Sequence, residues 1–390
     1  MAIQGGPDIV EDGLVLHLDA AEPLCFRGEP TTNVVANSIP DANWFVGNYG
    51  GSTVTRSYLI EDNIPFMRFS NVNVPAGGTY PRINNSSMTS TITGTFSASL
   101  EARGTEGAVV NFSIYSSGST RVSFAVTLTS EWTRYEFTTT TAYNLDMPYF
   151  QPRVTGATYD IRNIQIEAKP YSTPFVVGTR GSTVATGGGL LDLTNNGNNG
   201  TINRTASPSA AFYNGNNKGS LVFNGVDDYA SLTTNIFTQT LPNFSISVWF
   251  NSTTNGVLLS NHRSGSTWES VEVSNNSFTV NAANNSTTNR QPLSFTPPSF
   301  GVWSNLTFVN NSSSGYMKVF YNTNEIANRI ATVIPWNNNI VPTIGVRSAI
   351  NGGVGSQING KIAQLSAYNK ALTPQEIQQN YNATKGRFGL

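Results

Sequence analysis

Residues 244–252 read FSISVWFNS, a stretch in which Phe, Ile and Val occupy every second position. A period of two is the pattern of a β-strand that buries one face in a hydrophobic core. Similar runs recur along the chain, among them GLVLHLDA at 13–20, TFSASLEAR at 95–103 and VVNFSIYS at 109–116. Gly, Asn, Ser and Pro separate these runs, as in antiparallel sandwiches and jelly rolls. The sequence therefore predicts an all-β protein.

One short helix is predicted near the C-terminus, over residues 374–384. Thr373 is a favourable N-cap residue, Pro374 suits the first helical position, and Glu376 completes a capping box. A lone helix at the end of an all-β chain usually packs over a sandwich. We therefore expect a short C-terminal helix that covers part of a sheet.

The composition excludes several classes of function. Only 12% of the 390 residues are charged, and 22 Lys+Arg face 23 Asp+Glu. Nucleic acids and anionic lipids are bound by clustered cationic charge, so neither is expected as a partner. One cysteine excludes an internal disulfide framework, and two histidines exclude a site built on several imidazoles. Without a signal peptide or a long apolar run, we expect a soluble protein without membrane insertion.

Two domains are predicted from the length and from turn-rich stretches. Residues 169–189 are rich in Pro and Gly, which places a boundary near 170–188. An earlier break lies at 23–30, where the strand at 13–20 has ended. Each part has enough alternating apolar residues to bury a core of its own.

Several segments of the C-terminal part carry a family resemblance. They are LLDLTNNGNNGTI at 190–202, GSLVFNGVDDYASL at 219–232, FSISVWFNS at 244–252, VWSNLTFV at 302–309 and the whole stretch 358–390. These segments resemble the concanavalin A-like, laminin-G type sandwiches of tailed-phage virion structural proteins, particularly marine, cyanophage-like ones. In that family a strand like GLVLHLDAAEP lies shortly before the DLTNNGNNG segment, whereas here a long insertion separates them. The resemblance implies a discontinuous sandwich of residues 13–25 and 181–390. Residues 1–12 lack periodicity and are expected to form an N-terminal arm.

The inserted part, residues 26–180, carries a second resemblance. Its segments are TFSASLEARG at 95–104, TLTSEWTRYEFTTT at 127–140 and TYDIRNIQIEAKPYSTPF at 158–175. They resemble the jelly-roll carbohydrate-binding modules of the cellulose- and xylan-binding type. We therefore expect two β-sandwich or jelly-roll domains, one of them inserted in a loop of the other, because insertions succeed at exposed loops.

Carbohydrate recognition requires exposed aromatic faces together with amide and hydroxyl groups. Aromatic residues in loop-like, polar surroundings are the sequence candidates for such a site. The candidate sugar-binding residues are Trp336, Asn337, Trp268, His262, Trp44 and Tyr49. For each tryptophan, packing at the edge of its domain is the alternative. Trp249, Trp303 and Trp132 lie in or beside strand patterns and are expected to pack structurally.

A structural calcium ion is implied by both resemblances. Asp227 and Asp228, in the segment GVDDY, are the best-placed carboxylates. The same segment is also consistent with a turn that begins a strand. No other cofactor is expected.

Catalysis is not expected. A glycosidase needs two carboxylates about 5–10 Å apart on either side of one bond. Glu269 and Glu272 are the only tempting pair, but residues three apart in a strand point to opposite faces. We therefore expect no enzyme.

The expected function is that of a non-enzymatic virion structural protein, a fibre, decoration or other appendage subunit that presents lectin-like domains to host-surface glycans. Such a protein would be made in the host cytoplasm and reside on the virion surface. Its partners would be other virion proteins and further copies of itself, with a trimer favoured. The alternative is a purely architectural capsid or tail protein whose sandwiches mediate protein–protein contacts, since one fold serves many tasks.

Overall fold

A computed structural model describes most of the chain. The described residues are 8–22, 24–36, 38–41, 43–77, 79–85, 88–116, 121–194, 196–204, 212–214, 219–237, 241–261, 271–281, 290–331, 341–347 and 356–390. These residues form two compact units. Unit 1 draws on Met1–Glu29, Gly181–Ala206 and Ala211–Leu390, and unit 2 is built on Pro30–Arg180.

Strands dominate both units, and the prediction of an all-β protein is confirmed. The strands of the first half are β1 (Leu14–Asp19), β2 (Thr31–Thr32), β3 (Trp44–Gly47), β4 (Thr53–Glu61), β5 (Ile64–Asn73), β6 (Arg82–Asn85), β7 (Ile92–Gly104), β8 (Val109–Tyr115), β9 (Arg121–Thr127), β10 (Thr133–Leu145), β11 (Met147–Pro152), β12 (Tyr159–Glu167) and β13 (Thr179–Arg180). Those of the second half are β14 (Gly200–Asn203), β15 (Tyr213–Asn214), β16 (Ser220–Asn224), β17 (Tyr229–Leu232), β18 (Asn243–Ser252), β19 (Val257–Ser260), β20 (Val271–Ser274), β21 (Ser277–Asn281), β22 (Arg290–Ser294), β23 (Ser304–Asn311), β24 (Tyr316–Tyr321), β25 (Asn324–Ile330), β26 (Thr343–Ile344) and β27 (Asn359–Tyr368). The helical elements are α1 (Pro374–Thr384) and the 3₁₀ helices Val184–Thr186 and Lys385–Phe388.

Unit 1 is a sandwich of two antiparallel sheets. One sheet has the order β15-β16-β27-β18-β23-β24-β25, with β1 paired to β27, and the other has the order β14-β17-β26-β19-β20-β21-β22. The alternating apolar residues of β18 enter the core between the sheets. With them in this core lie Val271, Val273, Phe278, Val280, Leu306 and Phe308. Burying each such side chain contributes about 1.5–3 kcal/mol, so this core is a principal source of stability for the unit.

The C-terminal helix α1 covers the outer face of β18. Thr373 and Glu376 form the capping box, and the helix spans Pro374–Thr384, so the predicted helix is confirmed. The Trp249 indole stacks on the rings of Tyr381 and Phe388, with centroids 5.6 and 4.2 Å away. Strand β18 is therefore buried on both faces.

Unit 2 is a second antiparallel sandwich, with sheets of order β10-β7-β12-β5-β4 and β3-β6-β11-β8-β9. Its core is rich in aromatic rings. The Phe150 ring stacks on Phe112 at 4.9 Å and lies 5.4 Å from Trp44. A separate two-stranded sheet pairs β2 with β13, which lie at the two ends of the unit.

A buried carboxylate reinforces the closure of unit 2. Glu167 is 1% exposed and accepts hydrogen bonds from the Thr31 hydroxyl at 2.5 Å and the Thr173 hydroxyl at 2.6 Å. It also accepts from the Gln165 amide at 2.7 Å and the Thr173 backbone N–H at 2.9 Å. The beginning and the end of this segment are thus joined inside the unit itself, which is the arrangement an insertion into a loop requires.

Two details differ from the expectation. Unit 2 begins at Pro30 rather than at residue 26, because the Phe26 ring packs 5.2 Å from Tyr213 in unit 1. Residues 8–12 are not part of a free arm. The backbone N–H of Val10 donates to the buried Asn380 side chain at 2.8 Å, and Val10 joins the apolar cluster beneath α1. Among the described helices, none is long and apolar enough to cross a membrane.

Candidate functional site

Four of the six sugar-binding candidates, Trp336, Asn337, Trp268 and His262, lie outside the described residues. The structure therefore leaves their roles as predictions. Trp44 and Tyr49 are both described and belong to unit 2.

Trp44 is not an exposed aromatic platform. It begins β3, is 0% exposed and packs on Phe150 in the core of unit 2. The Asn- and Gly-rich sequence around it suggested a loop, but the alternation of β3 directs this ring inward together with Val46. Its ring cannot stack on a sugar, and this part of the prediction is wrong.

Tyr49 is exposed, with 43% of its surface accessible. A tight turn holds it: the Ser52 backbone N–H donates to the Tyr49 carbonyl at 3.0 Å, and Gly50 and Gly51 have φ values of 57° and 79°. Two successive positive φ angles define a type I′ turn, which glycine adopts without steric cost. A side chain at Gly47 would contact the Tyr49 ring at 2.8 Å, so the missing Cβ at Gly47 makes room for this ring over the sheet.

Strand register shows which residues share the face beneath Tyr49. One continuous row crosses the whole sheet and points inward, since it joins the core: Val46, Ile83, Phe150, Phe112 and Phe124. The adjacent row must point outward, because side chains alternate along a strand. That row is Phe45, Asn84, Tyr149, Ser113 and Ser123. The outward face is therefore polar and aromatic.

Arginines and tyrosines meet on this outward face. The Arg82 guanidinium lies over the Tyr49 ring at 4.9 Å and over the Tyr149 ring at 5.3 Å. Arg121 Nη1 donates to the Tyr149 hydroxyl at 3.5 Å. The Tyr149 ring is 2% exposed and so supports the two guanidiniums rather than a ligand.

A second Arg–Tyr stack extends the same face. The Arg153 guanidinium lies 3.7 Å from the centroid of the Tyr80 ring. Tyr80 and Arg153 lie just outside β6 and β11, at positions that an extension of the pairing of Tyr149 with Asn84 places opposite each other. We call this surface the Arg–Tyr face and define it by Tyr49, Tyr80, Arg82, Arg121, Tyr149, Gln151 and Arg153.

Gln151 has a hydrogen-bond acceptor without a donor on the Arg–Tyr face. It is 4% exposed, and its Oε1 has no hydrogen-bond partner among the described residues. It follows Tyr149 by two positions, and extending the register of Tyr149 with Asn84 places it opposite Arg82. An unsatisfied buried carbonyl costs about 1–3 kcal/mol, so a donor from a ligand would relieve this cost.

Sequence reasoning missed Arg82, Tyr149, Gln151 and Arg121. The segments that contain three of them, RINN at 82–85 and MPYFQP at 147–152, do not alternate between polar and apolar residues. The sequence therefore neither identifies an outward face on these strands nor reveals which strands are neighbours.

The carboxylates proposed for calcium have protein partners. Asp228 is 2% exposed and bound by Arg204, with Nε 3.0 Å from Oδ1, and Arg204 also reaches Glu29 at 2.9 Å. Burial raises the pKa of Asp228, and the neighbouring Arg204 acts in the opposite direction. Asp227 accepts from the Asn224 side chain at 2.7 Å within a turn. A guanidinium at this position would repel a dication, so these residues do not fit a calcium site.

A cleft of about 200 Å³ lies on the outer side of a sheet in unit 1, lined by Glu272, Arg347, Ser274 and Asn276 among others. Glu272 is 2% exposed, and the Arg347 guanidinium binds both of its carboxylate oxygens. Its neighbours in the same row across the sheet are Ser231, Thr343, Ser260 and Thr279. Glu272 is the single carboxylate in this described row, whereas glycoside hydrolysis uses a pair. Glu269 lies outside the described residues.

Comparisons with known proteins identify the sandwich of unit 1. Residues 224–378 match the model of the concanavalin A-like lectin/glucanases superfamily, a range that contains β17 to β27 and the start of α1. The chain therefore carries a concanavalin A-like domain. No curated protein matches the chain.

Three solved structures are similar to parts of this chain. The binding domain of botulinum neurotoxin serotype D/C VPI 5993 is 17% identical over 50% of this chain and 49% of that chain, with a TM-score of 0.37. Domain 4 of AbnA, a GH43 extracellular arabinanase from Geobacillus stearothermophilus, in complex with arabinotriose, is 20% identical over 51% and 96%, with a TM-score of 0.36. The CBM40 of the Ruminococcus gnavus IT-sialidase, bound to alpha2,3 sialyllactose, is 15% identical over 36% and 83%, with a TM-score of 0.30. The present chain thus spans about half the length of the neurotoxin domain.

Proposed function

We propose that this protein is a non-enzymatic glycan-binding structural protein that binds its ligand on the Arg–Tyr face of unit 2. The observation that carries the proposal is the buried Gln151 carbonyl, which lacks a partner among the described residues on a face lined by tyrosines. A sugar hydroxyl is the donor that such a carbonyl would accept, and the exposed Tyr49 ring supplies a surface on which a sugar ring stacks. The concanavalin A-like domain of unit 1 supports a lectin-like role.

The proposed setting is the surface of a tailed-phage virion, where the protein would act as a fibre, decoration or other appendage subunit and bind host-surface glycans. The family resemblance of the segments at 190–202, 219–232 and 358–390 supports this setting. The low content of charged residues suits a surface that binds neutral hydroxyl groups by hydrogen bonds. In this proposal the protein is made in the host cytoplasm, assembles with other virion proteins and forms a homo-oligomer, with a trimer favoured.

The absence of catalysis belongs to the same proposal. Glu272 is bound by Arg347, and no second carboxylate lies in its described row. The arginines, tyrosines and amide of the Arg–Tyr face bind and orient a ligand, but they do not supply the acid and base pair of a glycosidase.

An architectural role is the second candidate, and one observation favours it. Strand β25 is the edge of its sheet, and it exposes Ile326 at 39% and Ile330 at 89%. Edge strands with exposed apolar side chains can pair with other proteins. In the architectural alternative such contacts, rather than glycans, are the purpose of the domains.

A glycan array probed with the full-length protein tests the proposed function. The wild type is compared with Tyr49→Ala, which removes the stacking ring, and with Tyr143→Ala, a matched control at an exposed tyrosine on the other sheet of unit 2. We expect saturable binding that Tyr49→Ala weakens and Tyr143→Ala preserves. Trp336→Ala and Trp268→Ala extend the test to the candidates outside the described residues. Absence of binding by the folded protein would favour the architectural alternative.

A further inference from the structure

The arginines of unit 2 differ in whether a carboxylate pairs with them. On the sheet β10-β7-β12-β5-β4, several arginines pair with carboxylates at 2.7 Å: Arg68 with Asp160, Arg103 with Glu61, Arg134 with Glu136 and Arg162 with Glu101. On the Arg–Tyr face, Arg82, Arg121 and Arg153 make no such pair. Within the described part of the chain, no carboxylate lies within 4.0 Å of any of the three. Arg56 of β4 also lacks a carboxylate within 4.0 Å among the described residues and lies 4.7 Å from the centroid of the Tyr58 ring. It is a single such arginine on its sheet, whereas three lie on the Arg–Tyr face.

Tyrosine rings hold these arginines without neutralising them. Arg82 rests against Tyr49 and Tyr149, and Arg153 rests against Tyr80. Cation–π contacts orient a guanidinium and leave its N–H edge free to donate. The planar fork of an arginine matches the two oxygens of a carboxylate, which it binds through charge-assisted hydrogen bonds. The face is thus organised for an anionic group that the described chain does not supply.

We propose that the ligand of the Arg–Tyr face is an acidic glycan, a saccharide whose ring carries a carboxylate or another oxyanion. This inference rests on the proposed function, because it names the ligand class of the same site. Arg82 and Arg121, which both contact Tyr149, bind the oxyanion. The Gln151 carbonyl accepts a hydroxyl of the same sugar, and Tyr49 stacks on a ring. A neutral glycan would leave the guanidiniums without a counter-charge, so the site discriminates for the acid.

Oligogalacturonates and their methyl esters form a matched pair of probes, because esterification removes the charge and keeps the sugar ring. Isothermal titration of the full-length protein with the acid, the ester and a sulfated oligosaccharide separates the carboxylate from the sulfate as the source of the oxyanion. We expect the acid to bind at least roughly tenfold more tightly than the ester, with an affinity that falls as salt screens the charges. Tighter binding of the sulfated oligosaccharide than of the acid would identify sulfate as the oxyanion of the ligand. The proposal of an acidic glycan would then stand.

Substitutions of single arginines test which positive charges bind the acidic ligand. Arg82→Gln and Arg121→Gln should each lower the affinity for the acid by roughly tenfold, while binding of the ester stays unchanged. Arg27→Gln, at an exposed arginine of unit 1, removes the same charge elsewhere and should have no effect. Gln151→Glu places a carboxylate beside the arginines, and we expect it to raise the melting temperature and to abolish binding of the acid.

The outcomes separate the two proposals. Equal binding of the acid and the ester, both weakened by Tyr49→Ala, would overturn the acidic ligand class and leave the glycan-binding function intact. Binding of neither these probes nor any glycan on an array would overturn both. Loss of binding in Arg27→Gln as large as that in Arg82→Gln would also overturn the inference, since it would reflect net charge rather than this face.

Discussion

Replacing Glu167 by alanine tests whether unit 2 is held closed from within. The carboxylate is 1% exposed and accepts four hydrogen bonds, from Thr31, Gln165 and twice from Thr173. Removing a hydrogen bond to a charged group costs about 1.5–3 kcal/mol, and bonds within one network are not additive. We therefore expect Glu167→Ala to lower the free energy of unfolding of unit 2 by about 3–5 kcal/mol.

The melting temperature gives the first readout. For a domain of this size each kcal/mol shifts the midpoint by about 2–4 °C, so the transition of unit 2 should fall by roughly 10 °C. Glu136→Ala is the matched control, since its pair with Arg134 is largely exposed and its loss should change the midpoint little. Differential scanning calorimetry measures the transition of each variant.

Hydrogen exchange assigns the effect to a unit. Peptides from β2, β12 and β13 should lose protection in Glu167→Ala, whereas peptides from β18 and β27 should retain it. A shift no larger than that of Glu136→Ala, or equal loss of protection in unit 1, would refute the reasoning that the ends of unit 2 are joined within it.

Three further predictions concern single sites. Gly47→Ala should displace the Tyr49 ring, which lies 2.8 Å from the position of the new Cβ, and glycan affinity measured by titration should fall without loss of the fold. Because burial raises the pKa of Cys25 to about 12 and the residue is 1% exposed, its thiol should react with Ellman's reagent at pH 8 only after unfolding, and rapid native-state labelling would contradict this packing. Phe388→Ala should remove the ring stacked 4.2 Å from Trp249 and destabilise unit 1 by about 3–5 kcal/mol, measured by denaturant unfolding, and a change below about 1 kcal/mol would contradict the packing of the C-terminus on β18.

The secondary structure was predictable where its causes are local. Thr373, Pro374 and Glu376 fix the start of α1 through contacts within one turn, so their sequence spacing was sufficient. The alternation of apolar residues in FSISVWFNS likewise predicted β18, because a period of two is a property of a single strand. The second face of β18 is buried under Phe388, which is distant in sequence. Within the strand itself, only the apolar Trp249 indicated this burial.

The candidate site was less accessible to sequence reasoning. Asn84, Tyr149 and Ser113 become neighbours only through pairing between β6, β11 and β8. Composition also concealed the charge pattern, because a formal net charge of -1 averages over paired and unpaired arginines. Trp44 was misassigned since the Asn and Gly around it are typical of loops, although the residue itself lies inside a strand.

The proposed function requires that a glycan bind on the Arg–Tyr face of unit 2. Hydrogen–deuterium exchange can be measured with and without a saturating concentration of a glycan that binds. The change in exchange locates the ligand on the protein without any substitution. Binding on this face should slow exchange in the peptides that contain residues 45–52, 80–85 and 147–153 and leave exchange in unit 1 unchanged. Protection confined to residues 224–378, with none in unit 2, would contradict it.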